Sequence, residues 1–186
     1  MKKKFVLIMA LALMVSSLAG CVPTDKTMVD GIEPDTKAVA NVDLDFVQLH
    51  NDTLDYINPE PYIFVAECEI TGTNNPKQVN VICTLMDEAG EEDADAFAAA
   101  LLRNINDAAY VQSNEYVESN SSSFGTLWNK YEATISFYHL SDEAKGPFHT
   151  VHVVPGEAIT LDPDIERYEE EWQKELEIYL RNHEDD

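Results

Sequence analysis

The sequence predicts an α+β fold, with an antiparallel sheet of about four or five strands and helices packed on one face. Two pairs of segments with alternating apolar residues indicate strands, and each pair is followed by a segment whose apolar residues recur at helical spacing. The predicted order is therefore strand, strand, helix, strand, strand, helix. We expect this single globular domain to occupy residues 42–186.

The start of the domain admits two structures. Val42, Leu44 and Phe46 alternate with aspartates, which favours a short leading strand. The residues that follow, 49–57, fit a helix equally well. An extra first strand is therefore expected, with a helix as the alternative.

A first β-hairpin is indicated by two alternating runs on either side of a polar turn. The runs are Tyr62, Phe64, Ala66, Cys68 and Ile70, then Val79, Val81, Cys83 and Leu85. If the turn is centred between Asn75 and Pro76, Cys68 lies directly opposite Cys83. Such a pair could form a disulfide in an exported protein, or it could remain as two buried thiols that pack as small apolar groups.

A helix is predicted from Glu91 to about Gln112, because acidic residues crowd its first turn and its apolar residues are spaced for one face. A second hairpin follows, with one strand through Ala133, Ile135 and Phe137 and another through Val151 and Val153. The last helix is expected to start at Asp162-Pro163. Its apolar stripe, which we expect to face the core, contains Ile165, Tyr168, Trp172, Leu176 and Tyr179.

The first 21 residues differ from the rest of the chain. Lys2, Lys3 and Lys4 precede a short apolar run, and the segment ends in Leu18-Ala19-Gly20-Cys21. The run is too short for a comfortable membrane span and fits an export signal. The final tetrad resembles the lipobox of bacterial lipoproteins. That resemblance covers residues 1–21 only.

The resemblance implies that residues 1–20 are removed and that Cys21 becomes a lipid-modified amino terminus. Acyl chains on Cys21 would hold the protein on the cell membrane, facing outside the cytoplasm. Residues 21–41 mix proline, glycine and polar residues without periodicity, which indicates a flexible tether. An ordinary secretory signal, cut near Ala19 or Gly20, is the alternative.

The charge of the chain limits its partners. Removal of residues 1–20 takes away three of the 12 basic residues and none of the 35 acidic ones, which changes the formal charge from −23 to −26. Nucleic acid and anionic lipid both select clustered lysine and arginine, so neither is expected as a charge-driven partner. High acidity is most simply a solubility feature of an exposed protein.

No catalytic motif stands out, and no cofactor or metal is predicted. The chain has no G-x-S-x-G turn and no glycine-rich phosphate loop. His149 and His152 would point to opposite faces of a strand. His139 and His149 lie on facing strands and form the better zinc candidate, but the pattern supplies no third ligand. The acidic run from Asp87 to Asp95 lacks the spacing of an EF-hand loop.

A candidate ligand edge follows the first predicted helix. A polar, serine-rich segment, residues 113–123, leads into a stretch dense in aromatic residues. Such side chains beside an exposed loop could bind a sugar or a peptide, or could instead anchor the loop to the core. The residues of this edge are Tyr116, Phe124, Trp128 and Tyr131.

We therefore expect a membrane-anchored, non-enzymatic binding lipoprotein whose partner is an envelope protein, a peptide or a glycan. An envelope hydrolase that uses carboxylates or a histidine-bound metal is the first alternative. A structural accessory subunit of an envelope complex is the second.

Overall fold

The computed structural model describes residues 43–182, which form an α+β fold of one four-stranded sheet and three α-helices. The predicted signal, Cys21 and the whole tether, residues 21–41, lie outside these residues. The elements in chain order are α1 Phe46–Tyr56, β1 Val65–Asn74, β2 Lys77–Leu85, α2 Glu91–Gln112, β3 Glu132–His139, β4 His149–Val153 and α3 Ile165–Asn182. Short 3-10 turns lie at Glu60–Tyr62, Leu127–Asn129 and Glu143–Lys145.

The sheet is mixed, so the prediction of a purely antiparallel sheet is wrong. Its strand order is β1-β2-β3-β4, with antiparallel pairing at both ends and parallel pairing between β2 and β3. The reason is the connection: α2 carries the chain from the end of β2 back to the start of β3. A helical crossover of this kind joins parallel neighbours.

The domain begins with a helix, and the predicted leading strand is wrong. The Asp45 carboxylate accepts hydrogen bonds from the backbone N–H groups of Val47 and Gln48, which caps α1 at its amino terminus. The helix then buries Leu49 and Thr53. Local capping therefore outweighs the alternation of apolar and acidic residues that favoured a strand.

The first hairpin has the predicted register. Cys68 pairs with Cys83 and Asn74 with Lys77, so the turn falls at Asn75 and Pro76. The strand itself starts later than predicted, because Tyr62 belongs to a 3-10 turn. A register shift between Val65 and Glu67 also breaks the expected alternation and leaves Ala66 exposed.

The core lies between the sheet and the helices. Helix α2 has the predicted bounds and buries the apolar residues expected of it, including Ala94, Phe97, Leu101 and Ile105. Val79, Val81, Ile135 and Phe137 from the two central strands are also buried. The second hairpin is confirmed by the antiparallel pairing of β3 with β4.

Helix α3 begins three residues after the predicted start. The Asp162 carboxylate accepts a hydrogen bond from the backbone of Asp164, and the helix starts at Ile165. Ile165 and Tyr168 pack on the core, whereas Leu176, Ile178 and Leu180 are exposed. The prediction of a core-facing stripe therefore holds for the first turn and fails for Leu176.

Candidate functional site

One face of the sheet packs on α1 and α2, and the other presents a polar surface that we call the open face. Side chains alternate between the two faces of a strand, so the residues that precede and follow each buried residue point outward. Ile82, on this surface, is 50% exposed. The open face consists of Glu67, Glu69, Thr71, Asn80, Ile82, Thr84, Thr134, Ser136, Tyr138, Thr150 and His152.

The strand register arranges these side chains in rows across the sheet. One row runs through Glu67, Thr84 and Tyr138, and the next through Glu69, Ile82, Ser136 and Thr150. A third row ends at His152, whose Nδ1 lies 3.3 Å from the Thr134 hydroxyl. No lysine or arginine occurs among the open-face residues, so they present hydroxyls, carboxylates and rings.

A solvent-open cavity of about 300 Å³ lies over two of these rows. Two carboxylates, a phenol ring, a hydroxyl and an aliphatic side chain come together there. Carboxylates accept hydrogen bonds, while the ring and the aliphatic group offer apolar contact. The cavity is lined by Glu67, Glu69, Ile82, Thr84 and Tyr138.

The cysteine pair lies directly beneath this cavity, on the core side of the same two strands. Cys68 Sγ is 2.8 Å from Cys83 Sγ, and both residues are free thiols in the structure. Cys68 is half-buried and Cys83 is fully buried. Burial, together with the hydrogen bond to Cys68, raises the pKa of the Cys83 thiol.

The predicted ligand edge is not a surface. Tyr116, Phe124, Trp128 and Tyr131 are all at least 94% buried, so the expectation of an exposed aromatic edge is wrong. Trp128 Nε1 donates a hydrogen bond to the carbonyl of Leu102 at 3.2 Å. Burial is also the largest reason why the pKa values of Tyr116 and Tyr131 are raised. These rings anchor the loop, which is the alternative that the sequence left open.

Asn106 on α2 fixes the same loop from below. Its side chain is fully buried, donates to the carbonyl of Val117 at 2.9 Å and accepts from the N–H of Leu127 at 3.0 Å. Asp107 adds two bonds, from the backbone N–H and the hydroxyl of Ser119. The loop between α2 and β3 is therefore held from both ends.

His139 and His149, the pair considered for zinc, contact different groups in the structure. His149 Nε2 lies 2.8 Å from Asp95 Oδ1, whereas His139 Nε2 lies 3.1 Å from the carbonyl of Ala89 and its ring stacks on Phe148. His149 and His152 face opposite sides of β4, as predicted. Within residues 43–182, no group of three histidine, cysteine or acidic side chains is placed to hold a metal ion.

A second cavity, of about 280 Å³, lies between α2 and the start of α3. Asp95, Asp162, Asp164 and Glu171 line it, and Arg167 pairs with Asp162 at its edge. The Asp162 carboxylate is bonded to the backbone N–H of Asp164 and to Arg167, and Asp95 pairs with His149. We therefore regard the open-face cavity as the candidate site.

The sequence carries a signal for the open face, although no known motif marks it. Polar residues occupy every outward position of β3, and Glu67 and Glu69 stand two residues apart on β1. None of the α-helices over residues 43–182 is long and apolar enough to cross a membrane. Comparison of the chain with protein-family models, curated proteins and solved structures found no match.

Proposed function

We propose that this chain is an exported lipoprotein, anchored through acyl groups on Cys21, that binds a neutral glycan on the open face of its sheet. Support for the anchor comes from the basic start, the short apolar run and the lipobox-like tetrad ending at Cys21. Two or more acyl chains suffice for durable attachment to a bilayer surface. The tether would allow the sheet to meet a ligand away from that surface.

The cavity on the open face is the observation that supports the ligand class. Glu67 and Glu69 can accept hydrogen bonds from neighbouring hydroxyl groups of a sugar. The Tyr138 ring and Ile82 offer contact to the apolar C–H face of the same ring. Two carboxylates without a basic neighbour on this face repel an anionic ligand. A neutral, hydroxyl-rich ligand satisfies all of these groups.

The anchor is tested by expressing the full chain in a bacterial host that receives an alkyne-labelled palmitate. We expect label on the wild-type protein and its recovery in the detergent fraction. Cys21→Ala should lose the label, while Cys68→Ala should keep it and so serve as the matched control. Equal labelling of wild type and Cys21→Ala would contradict lipidation at this position.

The ligand class is tested with the detergent-solubilised full chain and immobilised neutral polysaccharides, namely chitin, cellulose and xylan. Glu67→Gln, Glu69→Gln and Tyr138→Ala should each weaken retention on the bound polysaccharide by about tenfold, which corresponds to about 1.4 kcal/mol. Glu157→Gln and Tyr110→Ala change an exposed acid and an exposed ring elsewhere and should leave it unchanged.

Two outcomes would overturn the glycan proposal. One is retention that is the same for all five variants, because the open face would then be uninvolved. The other is binding to a lysine-rich peptide on the same surface with none to any polysaccharide. The second outcome would keep the surface and replace the ligand class.

A carboxylate-dependent hydrolase is the second candidate, because Glu67 and Glu69 lie on the same side of β1 and line one cavity. Paired carboxylates are the groups that glycoside hydrolysis requires. Incubation of the full chain with the polysaccharides above and measurement of new reducing ends separates the two functions. Turnover that disappears in Glu67→Gln and Glu69→Gln would favour the enzyme, whereas binding without turnover favours the non-enzymatic binding protein.

A further inference from the structure

We infer that Cys68 and Cys83 form a disulfide once the protein has been exported, and that this bond ties together the two strands beneath the glycan cavity. The location of the oxidation depends on the proposed export, whereas the geometry does not. The two residues are directly opposed across β1 and β2, and their sulfur atoms are in contact. Opposed Cα atoms in an antiparallel pair are separated by a distance that a disulfide can span.

The position of the pair links it to the candidate site. Glu67 and Glu69 flank Cys68 in sequence, and Ile82 and Thr84 flank Cys83. These four neighbours are four of the five residues that line the cavity. A bond between the cysteines therefore fixes the register of both carboxylates against the β2 side chains. Among the strands that the structure describes, β1 lies at the edge of the sheet and pairs with β2 alone.

The oxidation is an exchange with an external disulfide, carried by a protein thiol oxidase or a small molecule. The Cys68 thiolate attacks that disulfide, forms a mixed disulfide and releases one thiolate. The Cys83 thiolate then attacks the Cys68 sulfur and releases the second. Two protons leave the cysteines, and two electrons reduce the external disulfide to a dithiol. Because burial raises the pKa of the Cys83 thiol, the exchange is easiest during folding, before the pair is covered.

The test uses the full chain collected, without reductant, from the combined membrane and soluble fractions of the expressing cells. The sample is denatured in N-ethylmaleimide, digested with trypsin and analysed by mass spectrometry before and after reduction. Lys77 lies between the cysteines, so cleavage after it places Cys68 in peptide 38–77 and Cys83 in peptide 78–103. We expect these peptides to be joined before reduction and to separate after it. Cys68→Ser should yield peptide 78–103 alone.

Peptides 38–77 and 78–103 that are separate and modified by maleimide before reduction would overturn the inference. A peptide joined through Cys21 would overturn it as well. Failure of the lipid anchor has a different signature, because an unmodified Cys21 would carry maleimide while the other two peptides remain joined. Failure of glycan binding would leave the masses of the joined peptides unchanged. The outcome for the disulfide is therefore independent of the outcome for the proposed function.

Discussion

At the residue scale, the contact between Gly125 and Asn106 decides how the loop after α2 is held. Gly125 has a φ of +83°, and a Cβ atom added there would lie 2.0 Å from the Asn106 Nδ2. That amide is fully buried and bonded to both sides of the loop. A side chain at position 125 would therefore displace two buried hydrogen bonds as well as strain the backbone.

We predict that Gly125→Ala lowers the free energy of unfolding by about 3 kcal/mol, the sum of the backbone cost and the disturbed Asn106 bonds. Gly146→Ala is the matched control, because Gly146 has a φ of +93° and no atom within 4 Å of an added Cβ. Gly146→Ala should lower the free energy of unfolding only by the cost of the backbone conformation, about 1 kcal/mol. Urea denaturation measures both, and equal losses would contradict the role assigned to Asn106.

The Glu115–Lys130 ion pair is a second residue-scale contact with a testable consequence. Lys130 Nζ lies 2.8 Å from Glu115 Oε2 and holds the pKa of that carboxyl below its ordinary value of 4.5. The unfolded chain therefore binds the proton at a higher pH than the folded chain does. The contribution of the pair is present above pH 4.5 and declines as the pH falls below it.

We predict that Glu115→Gln lowers the free energy of unfolding by about 1 kcal/mol at neutral pH, since only the lysine end of the pair is well exposed. The difference from wild type should shrink toward zero in urea titrations well below pH 4.5. Asp142→Asn removes an ion pair with Lys145 that is exposed at both ends and should change stability by less than about 0.5 kcal/mol. A loss that is independent of pH would refute the electrostatic origin.

At the scale of elements, α3 is attached by its first turns and projects beyond them. The Tyr168 ring stacks on Tyr62 with centroids 5.5 Å apart and planes inclined by 8°. Burial raises the pKa of the Tyr168 phenol to about 12. Farther along the helix Leu180 is 54% exposed. The two ends of one helix therefore differ in how much they stabilise the fold.

We predict that Tyr168→Ala lowers the free energy of unfolding by about 2–3 kcal/mol, since a half-buried, stacked ring is lost. Leu180→Ala should change it by less than about 0.5 kcal/mol. Thermal and urea denaturation of both variants provides the comparison. If Leu180→Ala proves as destabilising as Tyr168→Ala, the prediction is contradicted, because Leu180 would then have to be packed rather than exposed.

The elements also show how far the sequence could predict the fold. Helix α2, the register of the first hairpin and the second hairpin were predictable because periodicity and turn residues agree there. The parallel pairing of β2 with β3 could have been predicted from the strand-helix-strand order alone. The structure at the start of the domain could not be predicted. The alternation of Leu44 and Phe46 with aspartates fits a strand, and only the structure shows that Asp45 caps a helix.

The candidate site was less predictable, and the reason is physical. The density of aromatic residues favoured Tyr116 and Trp128 as site residues. Aromatic side chains stabilise the folded state most when they are buried, and these two are buried. The open face is polar and its residues come from four strands, so its composition becomes apparent only when the rows are assembled. Tyr138 is far from Glu67 and Glu69 in sequence and shares a cavity with them only through strand order.

At the scale of the whole molecule, charge repulsion should make stability depend on salt. The acidic excess extends to α3, where burial and the neighbouring Glu166 raise the pKa of Glu169. Because salt screens repulsion between exposed charges, raising NaCl from about 10 to about 150 mM should increase the unfolding midpoint by roughly 3 °C. Choline chloride at equal ionic strength should act alike, and Glu175→Lys should reduce the increase. A midpoint indifferent to both salts would show that the acidic residues are spaced too widely to repel one another.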